Sequence, residues 1–188
     1  PLNRWKIVLL ILGNKALFNA LLYKGDFIEK NVSESHYDYY FNAFNRLFTR
    51  DLAQKSFFLH LCFYGKINSL MGVPREASEK IHQKIANSKT VVNYISEDLI
   101  SHLKSGINTY DFLSLSDVPS YFKGDLEINF MQMIRPSLAP GAIVVNRYYL
   151  RKSNCNLEGF QDVTETHRLI IDLEKVQMYD ICIYRYNP

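Results

Sequence analysis

The sequence predicts an α/β fold with a mainly parallel sheet and an N-terminal helical segment. Two observations predict it: helical spacing of apolar and aromatic residues runs through residues 1–88, and short β-rich runs alternate with helical stretches through residues 89–188. We therefore divide the chain into a helical segment, 1–88, that covers the sheet or is inserted in it, and a sheet-forming part, 89–188. The 188 residues, of which 47% are hydrophobic, suit about one domain with a packed core.

The first half is predicted to be helical. Residues 5–23 predict a helix buried on most of its circumference, because their apolar stripe is wider than a surface helix needs. Residues 37–65 predict two aromatic-rich helices, interrupted at 49–54, with Asp51 as a candidate N-cap of the second. A polar, exposed helix follows over 76–86.

The second half predicts strands joined by crossover helices. Pro140 and Gly141 are a helix-stop signal, and the order strand, helix, strand favours parallel pairing. In chain order the elements are strand 90–95, helix 98–104, strand 110–115, helix 127–138, strand 143–149 and an edge or antiparallel strand within 176–186.

Charge and hydropathy exclude two classes of protein. The surplus of 22 Lys and Arg over 19 Asp and Glu is small and forms no basic run, which argues against nucleic acid as a partner. The longest apolar run, residues 7–12, is far shorter than the roughly 20 residues of a spanning helix, so no transmembrane helix is predicted.

The cysteines and histidines do not predict a metal site. Cys62, Cys155 and Cys182 are widely spaced, without a Cys-x-x-Cys pair, so neither a disulfide framework nor bound zinc is expected. A reducing, cytoplasmic location is the default expectation. The five histidines are dispersed and are interpreted as surface or satisfied side chains, and the absence of a Gly-x-Ser-x-Gly elbow argues against a hydrolase.

Two segments of the second half resemble a known family. Residues 111–118 read Asp-Phe-Leu-Ser-Leu-Ser-Asp-Val, and residues 135–147 read Arg-Pro-Ser-Leu-Ala-Pro-Gly-Ala-Ile-Val-Val-Asn-Arg. Both are similar to segments of the betaine-lipid synthase family, the S-adenosylmethionine:diacylglycerol 3-amino-3-carboxypropyltransferases. The resemblance is best over residues 90–147. It implies a partial Rossmann-like S-adenosylmethionine-dependent transferase fold.

The sequence does not show the cofactor loop that this resemblance leads us to expect. Folds of this type place a Gly-rich loop after the first strand and an acidic residue after the second, and neither precedes Trp5. If helix 5–23 is the one that follows the second strand, we expect the chain to begin after both elements. It would then be a C-terminal part of a larger protein or a degenerate relative.

The resemblance implies a cofactor site in the turns that follow two strands. Asp98 would accept the adenine amino group, and its alternative role is to cap the helix that follows. Ser114, Ser116 and Asp117 end a predicted central strand, where open α/β sheets bind ligands. Asp117 would hold the amino group of S-adenosylmethionine or orient the acceptor as the catalytic residue, or else Ser116 or Asp117 would cap the next turn.

The substrate side is assigned to residues near the same strand ends. Tyr121 would form an apolar wall of the cleft, or belong to the core. Arg147 ends an apolar strand, where it would border the substrate or pair with a carboxylate. Tyr148 and Tyr149 point to opposite faces of that strand, so one can face the site, and Tyr148 is our candidate.

The resemblance implies transfer of the 3-amino-3-carboxypropyl group of S-adenosylmethionine to a diacylglycerol hydroxyl, without a metal. Alternatives are an ordinary methyltransferase and a non-catalytic remnant or interaction domain. The expected partner is a lipid or small-molecule acceptor, with peripheral membrane contact if it is a lipid; the oligomeric state is open. One further aromatic run could line a lipid groove, meet a membrane or be core: Tyr37, Tyr39, Tyr40, Phe41 and Phe44.

Overall fold

The computed structural model describes residues 2–12, 14, 16, 35–50, 52–68 and 73–188. They form two compact units. One comprises Pro1–Asn42, Glu97–Glu174 and Met178–Pro188, and the other Ala43–Ser96 with Lys175–Gln177. The α/β class is confirmed, and the boundary at 88/89 stays a prediction.

The sheet of the first unit has four strands in the order β1-β2-β4-β3. β1 pairs with β2 in parallel, and β4 pairs antiparallel with both β2 and β3. The sheet is therefore mixed, which corrects the expectation of a mainly parallel sheet: three strands share a direction, but β4 lies between two of them. The strands are β1 Tyr110–Ser116, β2 Leu138–Tyr148, β3 Phe160–Asp162 and β4 Asp180–Tyr186.

The helix Gly124–Ile134 packs on the sheet through one apolar face. Phe130, Met131 and Ile134 recur at helical spacing and are buried against the strands. They meet Val144 and Tyr148 of β2 in the main core cluster. The helices that begin in this unit are α1 Leu2–Leu12, α2 His36–Arg50, α5 Leu99–Lys104, α6 Gly124–Ile134 and α7 Arg168–Ile171.

The second unit contains the end of α2, together with α3 Phe57–Tyr64 and α4 Glu79–Ala86. Ser56 caps α3 by accepting a hydrogen bond from the Leu59 amide, and Gly65 ends it in the left-handed region at φ 66°. Stacked rings of Phe44 and Phe58 join α2 to α3. The two aromatic helices and the exposed helix before Asn87 are confirmed. Asp51, the expected cap, lies outside the described residues.

Two expectations about apolar segments are wrong. Residues 90–95 form no strand, because no described strand lies beside them to complete the hydrogen bonds; Tyr94 is 95% exposed. Of the expected helix 5–23, the burial predicted on most of its circumference is wrong for residues 6–11, and residues 13, 15 and 17–23 lie outside the described residues. In the described part, Leu9 is buried, while its neighbours Val8 and Leu10 are exposed. None of the helices described is long and apolar enough to cross a membrane.

Candidate functional site

The carboxyl ends of β1 and β2 meet at one edge of the sheet, since the two strands are parallel neighbours. β1 ends at Ser116, whose backbone turns into the left-handed region at φ 48°. Asp117 follows and leads into a 3-10 helix, Val118–Tyr121. β2 ends at Tyr148 and is followed by Tyr149. This is the edge at which open α/β sheets bind ligands.

Asp117 ties these two strand ends together. Its Oδ1 accepts a hydrogen bond from the backbone N–H of Tyr149 at 2.8 Å and a second from the Ser120 hydroxyl. Ser120 is fully buried. The side chain therefore fixes the turn after β1 against the turn after β2, which is a larger structural role than the local cap that the sequence suggests.

Four tyrosines form a cluster beside Asp117, which we call the tyrosine cluster: Tyr39, Tyr40, Tyr149 and Tyr179. The ring of Tyr149 lies 5.9 Å from that of Tyr39 and 6.1 Å from that of Tyr179, and its hydroxyl is 2.5 Å from the Tyr40 hydroxyl. The Tyr39 hydroxyl donates to the Met178 carbonyl. The aromatic run of α2 thus reaches the strand ends through Tyr39 and Tyr40.

Burial and nearby carboxylates raise the pKa of two phenols at this edge, Tyr121 and Tyr179. Desolvation, with a smaller contribution from the charge of Asp117, raises the pKa of Tyr179 and the pKa of Tyr121. The positive charge of Arg147 acts in the opposite direction on the pKa of Tyr179. Tyr179 is thus within electrostatic reach of the carboxylates of Asp117 and Glu174 and of the guanidinium of Arg147. At neutral pH Tyr121 and Tyr179 are neutral phenols that can donate and accept hydrogen bonds.

An arginine clamp holds the turn after Asp117. Arg151 donates to the backbone carbonyl of Phe122 at 2.9 Å and to that of Ser120 at 3.4 Å, and it forms an ion pair with Glu127 of α6. The Ser153 hydroxyl donates to the Pro119 carbonyl at 2.6 Å. These bonds position the exposed ring of Tyr121. Sequence reasoning missed Arg151 and Glu127, because the pair is 24 residues apart and no local motif marks it.

The structure reverses the expected roles of the two tyrosines at the end of β2. Tyr148 is 1% exposed and lies in the core, where its hydroxyl accepts a hydrogen bond from Asn146 and where burial strongly raises its pKa. A substrate therefore does not reach Tyr148, since α6 covers that face of the sheet. Tyr149 belongs to the tyrosine cluster and replaces Tyr148 in the candidate site. Arg147 is exposed on the strand.

The remaining predicted cofactor residues lie at the start of α5 and on β1. Asp98 caps α5: its carboxylate accepts a hydrogen bond from the Ser101 amide at 2.8 Å, and that bond lowers its pKa. The capping alternative is thus the one observed. Ser114 and Ser116 are exposed on β1, in register with Val145 and Asn146 of β2.

Within the part of the chain that the structure describes, His, Cys, Asp and Glu side chains form no group of three that could hold a metal ion. The residues at the two strand ends present carboxylate, guanidinium, hydroxyl and phenol groups. Comparison with family models, with curated proteins and with solved structures found no match.

Proposed function

We propose that this chain is part of an S-adenosylmethionine-dependent transferase that moves the 3-amino-3-carboxypropyl group to a diacylglycerol hydroxyl. The observation that carries the proposal is the position of Asp117. It stands at the adjoining carboxyl ends of the two parallel strands, beside the exposed serines of β1, and the motif that contains it is the one that resembles the betaine-lipid synthases.

The sheet is compatible with this proposal. Doubly wound folds often add an antiparallel strand to an otherwise parallel sheet. Here β4 is that strand, inserted between β2 and β3, which share one direction.

The charges at the site suit a zwitterionic amino-acid group. Asp117 and Arg147 carry opposite charges and both influence Tyr179. A carboxylate can hold an ammonium group, and an exposed guanidinium can pair with a carboxylate. S-adenosylmethionine would supply an electrophilic carbon and a neutral thioether as the leaving group. Asp117 would hold the amino-acid chain in line with the acceptor hydroxyl, and this orientation is its contribution to the rate.

The bond changes of the proposed transfer balance without a metal. The acceptor oxygen forms a bond to the terminal carbon of the aminocarboxypropyl group, the carbon–sulfur bond breaks, and methylthioadenosine leaves with the electron pair. The hydroxyl proton passes to water. We do not assign it to Asp117, because Oδ1 of that residue already accepts two hydrogen bonds. Tyr121 and Tyr149 would line the acceptor side.

Calorimetric titration of S-adenosylmethionine and S-adenosylhomocysteine tests the proposal. Both ligands are titrated into this chain and into the longest protein that its gene encodes. We expect saturable binding to the longer protein, weakened at least about tenfold by Asp117→Asn, as loss of a charge-assisted bond implies. Asp125→Asn, which alters an exposed carboxylate of α6, is the matched control.

The products separate the enzymatic alternatives. Methylthioadenosine from S-adenosylmethionine and diacylglycerol would support aminocarboxypropyl transfer, and S-adenosylhomocysteine would support a methyltransferase instead. Silence from both proteins in the titration would refute a transferase. It would favour a non-catalytic domain, for which the structural use of Asp117 is the specific observation.

A further inference from the structure

Three hydrogen-bonded side chains join α5 to the start of β1: Glu97, His102 and Tyr110. The carboxylate of Glu97 bonds to Nδ1 of His102, and Nε2 of the same ring lies 2.6 Å from the Tyr110 hydroxyl. β1 begins at Tyr110 and ends at Ser116, so this group lies at the opposite end of the strand from Asp117. The transferase proposal does not use it.

The hydrogen bonds of His102 determine which of its ring nitrogens carries the proton. An ionised carboxylate can only accept hydrogen bonds, so Nδ1 of the ring donates to Glu97. In the neutral imidazole Nε2 is then the acceptor, and the Tyr110 hydroxyl donates to it. The phenol proton of Tyr110 therefore points at the lone pair of a base.

The arrangement is one that activates a hydroxyl as a nucleophile. Such activation needs a hydroxyl, a base within hydrogen-bond reach of it and a third group that orients the base, and this order recurs in acyl transfer. The His102 side chain is 14% exposed and is held on both sides, by Glu97 and by Tyr110. Tyr110 itself is half-buried, so the residue is not closed off from solvent.

We propose that Tyr110 is a nucleophile that accepts an acyl group from an uncharged, activated ester. The phenol oxygen forms a bond to the acyl carbon, the bond from that carbon to the leaving oxygen breaks, and the leaving group departs with the electron pair. The phenol proton passes to Nε2 of His102, and Glu97 stabilises the imidazolium that forms. The ring then gives this proton to the leaving group or to water.

The charges around the group favour an uncharged ester over an anionic phosphate ester. Glu97 is itself a carboxylate, Asp98 follows it in the chain, and Asp111 follows Tyr110. Lys104 is the cation of α5, and it is exposed. A local surplus of negative charge repels an anionic substrate and does not repel a neutral one.

The test measures where and how fast p-nitrophenyl acetate acetylates the chain. Samples are quenched at successive times, digested and analysed by mass spectrometry. Tyr94, which is 95% exposed, is the internal reference for an unassisted phenol. We expect Tyr110 to be acetylated at least about tenfold faster than Tyr94, because a positioned base contributes roughly 100–10,000-fold and partial burial offsets some of it. If the hydrogen bonds served the fold alone, half-buried Tyr110 would react more slowly than Tyr94.

Two variants test the base and the group that orients it. His102→Gln removes the base, so the acetylation rate of Tyr110 should fall to that of Tyr94 or below. In Glu97→Gln, the amide can donate to Nδ1 and so favour the tautomer with its proton on Nε2, which cannot accept the phenol proton. The rate at Tyr110 should then fall about tenfold or more. His82→Gln, on the exposed face of α4, is the matched control and should leave the rate unchanged.

The proposal is overturned if Tyr110 of the unmodified chain is acetylated no faster than Tyr94, or if the acetyl group is found on the His102 ring in place of Tyr110. Both measurements need no variant, so they remain decisive even if a substitution prevents folding. An unchanged rate at Tyr110 in folded His102→Gln would also overturn it. S-adenosylmethionine is absent from the assay, and failure of the transferase proposal would leave the result unaffected.

Discussion

Replacing Asp117 by Ala should destabilise the sheet unit through two lost hydrogen bonds. Oδ1 accepts from the Tyr149 amide and from the buried hydroxyl of Ser120. A hydrogen bond to a charged group contributes about 1.5–3 kcal/mol, and Asp117 is half-buried, which favours the lower end of that range. At about 1.5 kcal/mol for each of the two bonds, we expect the free energy of unfolding to fall by about 3 kcal/mol.

The Asn variant separates the bonds from the charge. Asp117→Asn keeps a carbonyl oxygen that can accept from both donors, so it should lose only about 1 kcal/mol. Urea unfolding followed by far-UV circular dichroism measures each loss. Hydrogen exchange of the Tyr149 amide gives a local readout, because that amide should exchange faster in the Ala variant than in the Asn variant.

An exposed carboxylate away from the strand ends is the control. Asp125→Ala removes a negative charge from the first turn of α6 together with its exposed hydrogen bond from the Asn129 side chain, and its effect should stay within about 0.5–1 kcal/mol. If Asp117→Ala were no more destabilising than this control, or if the Tyr149 amide kept its protection, Asp117 would not link β1 to β2. The structural role described for it would then be wrong.

Two further variants test local features. Gly65→Ala should lower the free energy of unfolding, measured in urea, by about 1 kcal/mol, because Ala disfavours the backbone angle of φ 66°. No atom lies within 4 Å of the added Cβ, so no steric clash adds to this cost. Lys66→Ala should cost almost nothing. Burial raises the pKa of Tyr184, so the folded state holds this proton more tightly than the unfolded chain. The stabilisation that the protonated Tyr184 gives the folded state is complete below about pH 10. As pH rises toward the folded-state pKa, this stabilisation is lost by up to about 1.4 kcal/mol per pH unit. In Tyr184→Phe, the free energy of unfolding should fall less steeply with pH above about pH 10. An unchanged slope would contradict the assignment of this decline to Tyr184.

Local patterns predicted the helices more reliably than their burial. The spacing of aromatic residues predicts α2 and α3 because a helix forms its hydrogen bonds within one segment. It does not reveal which neighbours cover the helix, and α1, with an apolar pattern almost all round, is largely exposed in its described part. The strand predicted at residues 90–95 was wrong for a related reason, since a strand depends on a partner strand that composition does not specify.

At the candidate site too, local sequence patterns do not reveal which side chains other elements cover. Alternation along β2 predicts that Tyr148 and Tyr149 face opposite ways, but the packing of α6 decides which of them is buried. Asp117 could be located from its place after an apolar strand. The hydrogen bond between Asp117 and Tyr149 and the contacts of Arg151 could not be predicted, because each joins segments that are far apart in sequence.

β1 leaves the sheet open to growth along one side. It is the terminal strand of the described sheet, so a row of its backbone amides and carbonyls has no described strand beside it. Many proteins protect such a row with Lys or Pro, whereas β1 has neither, and its Phe112 is 60% exposed. A strand of matching register, from a longer form of this protein or from a second molecule, would gain a complete ladder there, and the sheet would become a wider surface with Asp117 nearer its centre.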